Sequence, residues 1–412
     1  MRTVYSMDPR RPIAGQLLAI GLTLVVAGCG ATRSVPPSAH PAVSEGLAAP
    51  GSGVPSSSPA LPAALPDPSP AGLPVNGWVA YIQSSAIRFA SPDGQATLDA
   101  PAIGDVNCPA FAPVGALLAY RRDDNLVIAA IGERGTIEAQ LTAQTPLAAD
   151  ACPIWSPDGR AIAESVYGEA AAADLIRIVT LDGSIRRVLL PGRGWSQWIA
   201  WSFDGSSILA ARGGQRLAEV LLIPLDGQEP MVVYETSTTA AWREWDALTS
   251  SPAAPYFAVV IPRCDESLPL PGGEEVPCLR VVGFNGDIVF DESLSGTGMA
   301  AVEWAPDGRR LAWFGQGGIR VRSVNEGESQ LIPLERRVEG AGGQVVVDTS
   351  QGLAWSPDGT RLLCEVSYTA GERHEHAIVS VAADGSGDVT VHSGWQTETA
   401  LIRSVDLAWQ RR

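Results

Sequence analysis

Lysine is absent from this 412-residue sequence, and all 29 positive side chains are arginine. Without an ε-amino group there is no Schiff-base nucleophile, no P-loop lysine and no Ser–Lys dyad. Histidine is nearly as scarce, with four residues, of which His40 falls in a Pro- and Ser-rich stretch. Neither a G-x-S-x-G elbow nor an H-E-x-x-H pair occurs. Positive charge is in deficit as well, with 29 basic against 45 acidic side chains and a net charge of −16. Nucleic acid needs a positive footprint and is excluded as a partner. No polybasic patch is present for anionic lipids. Long apolar runs are missing after residue 26, so nothing there reads as a membrane span.

The one apolar run, Ile13 to Val26, follows Arg2, Arg10 and Arg11 and ends in Val26-Ala27-Gly28-Cys29. Positive n-region, short apolar core and small-residue cleavage pattern together read as an export signal over 1–28. The pattern resembles the bacterial lipoprotein site, which makes Cys29 the expected lipidated residue of the mature chain. Loss of 1–28 removes three Arg and one Asp and moves the net charge from −16 to −18. Residues 29–76 then form a tether dominated by Pro, Ser, Ala and Gly, a composition with too little to bury to pack a core.

Residues 77–412 carry a repeat. WSPDG stands at 155–159, WSFDG at 201–205, WAPDG at 304–308 and WSPDG at 355–359, with a weaker FAPVG at 111–115 and a degenerate copy at Ser251-Pro252. In such a turn Pro sets φ at the second position, Asp bonds its own backbone and Gly accepts positive φ. A second series runs in step: Asp93-Gly94, Arg134-Gly135, Asp182-Gly183, Asp226-Gly227, Asn285-Gly286, Glu326-Gly327 and Asp384-Gly385. Each sits between two short apolar runs, as hairpin turns do. Seven such units of four short strands predict an all-β, seven-bladed β-propeller. The first unit has three strands before the next repeat, and Val405–Trp409 is a repeat strand with no successor. The C-terminal strand is therefore expected to complete the first blade and hide its edge.

These W-S-P-D-G repeats resemble those of the TolB propeller and its relatives, which include the propellers of prolyl oligopeptidases. The resemblance implies the fold over about 80% of the chain. TolB carries an α/β domain ahead of its propeller, where this sequence has only the tether, and prolyl oligopeptidases add a hydrolase domain with no counterpart here. Their binding sites are therefore not carried over.

Chemistry-bearing groups are few. His374-Glu375-His376 would place two imidazoles on one side of a strand. Two ligands do not make a metal site, and the segment reads as a polar hairpin loop between the second and third strands of the last blade. The acidic loop from Asp265 to Glu275 lacks EF-hand spacing. No cofactor is expected. In an oxidising compartment, Cys264 and Cys278 should pair and close the insertion between them. Cys108 and Cys152 occupy matching places in adjacent blades, which leaves a blade-to-blade disulfide open. Cys364, in the apolar run RLLCEV, reads as a buried free thiol.

In a four-stranded meander the first and third connections share one face, here made of clipped turns. The second and inter-blade connections share the other, with longer loops that include PGRGWSQW (191–198), WREW (242–245) and 264–278. Taken singly, each Trp in or near these links reads as a wedge between blades. Taken together, Arg193, Trp195, Trp198, Trp242, Arg243 and Trp245 mark the candidate ligand face, because Trp and Arg are enriched where binding energy concentrates. The repeat residues Trp155, Trp201, Trp304, Trp355 and Trp409 read as structural. The expected function is a non-enzymatic binding or scaffolding module, lipid-anchored outside the cytoplasm, for an envelope protein, peptide or glycan. In a cell with two membranes the anchor would be the outer one. The alternative is an extracytoplasmic propeller enzyme, a lyase or hydrolase, with its site in the axial channel.

Overall fold

The computed structural model describes residues 76–83, 86–99, 106–123, 125–132, 135–140, 152–166, 175–190, 195–213, 218–236, 248–261, 263–264, 276–294, 301–334, 344–346, 352–370, 373–393, 396–397 and 402–411. The expected signal segment, Cys29 and the tether up to residue 75 lie outside them. The described residues form a seven-bladed β-propeller without helices. From the axis outward, blade 2 is built from strands 106–111, 117–122, 125–132 and 135–140, and blades 3 to 6 repeat this antiparallel order. Innermost strands adjoin one another in ring order, and Ile402–Arg411 lies against both Val106–Phe111 and Leu353–Trp355.

The C-terminal strand closes the ring. Ile402–Arg411 pairs antiparallel with Asn76–Gln83 and is the innermost strand of blade 1. Trp409 donates its indole N–H to the Gly77 carbonyl at 3.2 Å, and Gln410 Oε1 accepts from the Trp78 amide at 3.1 Å.

Between neighbouring blades lies apolar packing, and the described core falls into seven clusters, one for each seam. Period-2 alternation explains this division. Ile208 and Ala210 face blade 3, while Leu209 and Ala211, between and after them, face blade 5. A strand buried on both faces reads as a continuous apolar run, as Ile208–Ala211 does. Each fully buried large aliphatic contributes roughly 1.5–3 kcal/mol. The repeat Trp adds a polar tie: Trp155, Trp201, Trp304 and Trp355 donate to the carbonyls of Ala110, Ile154, Thr249 and Glu303 in the preceding blade, at 2.8–3.3 Å.

The S-P-D-G turns satisfy themselves. Ser156 Oγ donates to Asp158 Oδ1 at 2.6 Å, the same oxygen accepts from the Arg160 amide, and Ser156 Oγ accepts from the Ala161 amide. Gly159 holds φ of +67°, which an L side chain adopts only with strain. Ser202/Asp204 and Ser356/Asp358 repeat the arrangement. One face of the ring, the turn face, is therefore capped by short loops whose polar groups are already occupied.

Blade 7 departs from the four-strand pattern. Its middle strands, Arg361–Ala370 and Arg373–Ala382, extend beyond the other blades on the opposite face. There they gain two further short strands, Gln344–Val346 and Gln396–Thr397. His374 and His376 belong to this hairpin as paired strand residues, opposite Thr369 and Ser367. The polar loop expected over them from sequence is instead strand, because the added strands supply ladder partners that keep the chain extended.

Candidate functional site: the link face and the axis

The face that bears the second and inter-blade connections holds the longest segments of the propeller. Of the residues marked there by sequence, Arg193, Trp242, Arg243 and Trp245 lie outside the described set. Trp195 opens the strand Trp195–Trp201 and pairs in register with Arg212. Trp198 is half-buried and packs against the apolar seam between blades 4 and 5. Cys264 and Cys278 form a disulfide on this face, and Cys108, in the innermost strand of blade 2, forms another with Cys152, two residues before the innermost strand of blade 3. Cys108 has φ of +54° where the pairing register shifts between Asn107 and Ala110. Cys364 is a buried thiol; burial first, and then the Glu365 charge, pushes its pKa up to about 12.

Toward the link face the seams carry ionic groups. Glu164, fully buried, receives Arg177 from its own blade, and Arg121 of blade 2 approaches its other oxygen to 3.8 Å. Arg280 donates twice to Asp291 at 2.8 Å, once to the Tyr234 hydroxyl and once to the Cys264 carbonyl. Arg212 pairs with Glu219, and Arg322 with Glu292. Each cluster ties strands or blades together, since a buried charge is tolerated only where it is paired and hydrogen-bonded.

Metal-ligating arrangements are weak. His376 Nδ1 stands 3.0 Å from Glu365 Oε1, and Glu365 is buried. His374 shares the register face with His376, two residues away on the strand. Among the described residues Cys264, Cys278 and Asp291 come within ligand distance of one another, but the two sulfurs are bonded to each other and have no thiolate to offer.

One axial residue went unnoticed in the sequence. Glu303 is the central residue of Val302–Trp304, the innermost strand of blade 6. Val302 and Trp304 pack toward blade 5, and Glu303 lies on the other face of the strand. Its carboxyl has no hydrogen-bond or ion-pair partner among the described residues. Some of its surface stays accessible while protein surrounds it, and this burial pushes its pKa up to about 8. At the same place in the repeat the other blades carry Ala110, Ile154, Ala200, Thr249, Ala354 and Ala408. A single carboxyl in a row of small and apolar residues was the signal available in the sequence.

With this geometry in hand, comparison with known proteins adds little. No protein-family model and no curated protein matches the sequence. Solved structures do. The chain is similar to TolB from Acinetobacter baumannii, at 14% identity and a TM-score of 0.46, over 81% of this chain and 66% of that one. It is also similar to an oligogalacturonate lyase from Vibrio parahaemolyticus, at 12% identity and a TM-score of 0.48, over 77% and 86% of the two chains. A prolyl endopeptidase matches at 18% identity and a TM-score of 0.47, over 69% of this chain and 41% of that one. The chain thus spans just under two thirds of the TolB structure. Likenesses this distant decide neither family nor activity. The blade count and closure rest on the strand pairings themselves.

Proposed function

We propose that this protein is an exported lipoprotein, acylated at Cys29, whose propeller is a non-enzymatic binding or scaffolding module for an envelope protein, peptide or glycan. The ligand would engage the link face, centred on Arg193, Trp195, Trp198, Trp242, Arg243 and Trp245. The observation that supports this reading is the asymmetry of the ring. The turn face is closed by S-P-D-G turns that consume their own donors and acceptors. The opposite face carries the extended hairpin of blade 7 and the disulfide-closed segment of blade 5. The test has two arms. Cys29→Ser should release the protein from the membrane fraction, and unchanged retention rejects the anchor. Trp195→Ala and Trp242→Ala should abolish pull-down of envelope partners while melting stays within a few degrees. Lowered melting with intact pull-down returns both residues to packing.

Glu303 favours a second reading, an enzyme with its site on the axis. A carboxyl that remains protonated near pH 7 is suited to general-acid work. Glu303→Gln would then abolish turnover of envelope glycans with no change in partner capture. Equal turnover by the variant rejects this reading.

A further inference from the structure

Between blades 5 and 6, at the link-face end of the seam, lies a cavity of about 230 Å³. It is lined by Glu292, Ser293, Gln316, Arg320 and the strand end Trp313–Gly315. We propose that this cavity binds a carboxylate group of a ligand, anchored by Arg320. The proposal deepens the reading of the link face as the binding face and rests on it.

Among the described residues of this seam, charge does not cancel. Arg322 donates to Glu292 Oε2 at 3.0 Å and stacks over the Phe290 ring, 3.9 Å from its centroid. Ser329 Oγ donates to the other Glu292 oxygen at 3.1 Å. Both carboxylate oxygens are thus engaged, and Arg322 balances the charge. Arg320 is the surplus. It spends one N–H on Ser329 Oγ at 3.0 Å, and the rest of its five-donor fork meets no acceptor among the described residues. A half-buried guanidinium with open donors beside a cavity is a ready partner for a planar, two-oxygen acceptor.

Gly315 prepares this position. A Cβ there would stand 2.9 Å from Cγ, Cδ and Nε of Arg320. The glycine lies in a paired strand opposite Gly318 and is not in the left-handed region, so what its missing side chain provides is space. The arginine stem lies across the bare backbone and is held at the wall of the cavity.

The surplus is one positive charge, with Glu292 close by. That balance suits a monoanionic carboxylate and disfavours a phosphate dianion, which would face the Glu292 charge with one guanidinium to offset it. A carboxylate of this kind is offered by the C-terminus or an acidic side chain of a peptide and by the uronic acids of a glycan. Both share the chemistry, and the test separates them.

The experiment is calorimetric titration of the full mature protein with glucuronate and with N-acetyl-dialanine. Glucose, N-acetyl-dialanine amide and inorganic phosphate serve as comparisons. Binding by either acid, on the order of tenfold tighter than its neutral counterpart, supports the site, and the acid that binds identifies the source. Arg320→Gln should lose that discrimination, and Arg320→Lys, which keeps the charge without the fork, should lose part of it. Gly315→Ala should weaken acid binding with melting little changed, because the group it displaces is a flexible side chain. Absence of acid binding by folded wild-type protein, equal binding by Arg320→Gln, or tighter binding of phosphate overturns the proposal. Capture of an envelope partner without acid binding removes the cavity and keeps the face. Acid binding lost in Arg320→Gln, without capture of a partner, keeps the cavity and removes the macromolecular reading.

Discussion

His392 Nδ1 lies 3.2 Å from the carbonyl oxygen of Ser91, 301 residues earlier in the chain, so an imidazole of blade 7 is tied to the outer hairpin turn of blade 1. A carbonyl only accepts, which places the proton on Nδ1. Nε2, 2.9 Å from Ser380 Oγ, then accepts from that hydroxyl, whose own lone pair receives the Arg361 Nε–H. The ring also stands edge-on to Trp409 of the closing strand.

Acid should weaken this seam. Burial foremost lowers the His392 pKa from 6.5 to about 4; the Ser91 carbonyl opposes it, Arg361 adds to it, and Asp93 opposes it in turn. The unfolded chain therefore binds the proton first. His392 contributes stability above pH 6.5 that is lost as pH falls toward 4, by roughly 3 kcal/mol in total. Denaturant melts of wild type and His392→Gln between pH 7 and 4 should show a smaller decline in the variant. Parallel declines would contradict the assignment.

Removal of the closing strand should be severe. Truncation after Ser404 deletes the partner of Asn76–Gln83, together with the Trp409 and Gln410 bonds to blade 1. The exposed edge is an aggregation template. Insolubility, or a melting temperature lower by many degrees, is expected in a thermal melt of the truncated chain. Wild-type melting would show that closure contributes nothing.

Glu164→Ala removes the buried carboxylate to which Arg177 donates and which Arg121, also nearly inaccessible, approaches. Removing one member of a buried ionic cluster costs up to about 3–5 kcal/mol. Urea unfolding should register it as a lower midpoint at unchanged slope, and a loss under about 1 kcal/mol would show that water reaches both guanidinium groups.

Cys364 should resist alkylation at pH 8 in the native protein and react once unfolded, since burial holds it as a thiol. Reduction of Cys264–Cys278, with a sequence separation of 14, should cost up to about 3 kcal/mol on the chain-entropy account. Mass spectrometry with and without reductant counts the labelled sites, and native labelling at Cys364 would refute its burial.

Much of this fold was legible in the sequence because its causes are local. Pro, Asp and Gly define each S-P-D-G turn within five residues, and the Ser156–Asp158 bonds show how. Alternating apolar strands place one seam on each side of a blade, and a lone repeat strand at Val405–Trp409 had one edge left to complete. The site was less legible. A metal-like His-Glu-His cluster drew attention by spacing, whereas Glu303 and Arg320 sit in ordinary strand sequence.

What only the tertiary structure decided depends on register between blades, which no segment of sequence encodes by itself. It joined Cys108 to Cys152 across 44 residues and brought Arg121 to Glu164. It also stretched the His376 hairpin by lending it strands from either side. Protonation followed from the same contacts. Glu303 is held toward its neutral form by enclosure at the axis, and His392 by burial in the seam between blades 7 and 1. Arg320 keeps its open donors because the described residues of the seam supply one carboxylate for two arginines. Local chemistry set the strands and turns, and long-range packing set the charge state of what lies between them.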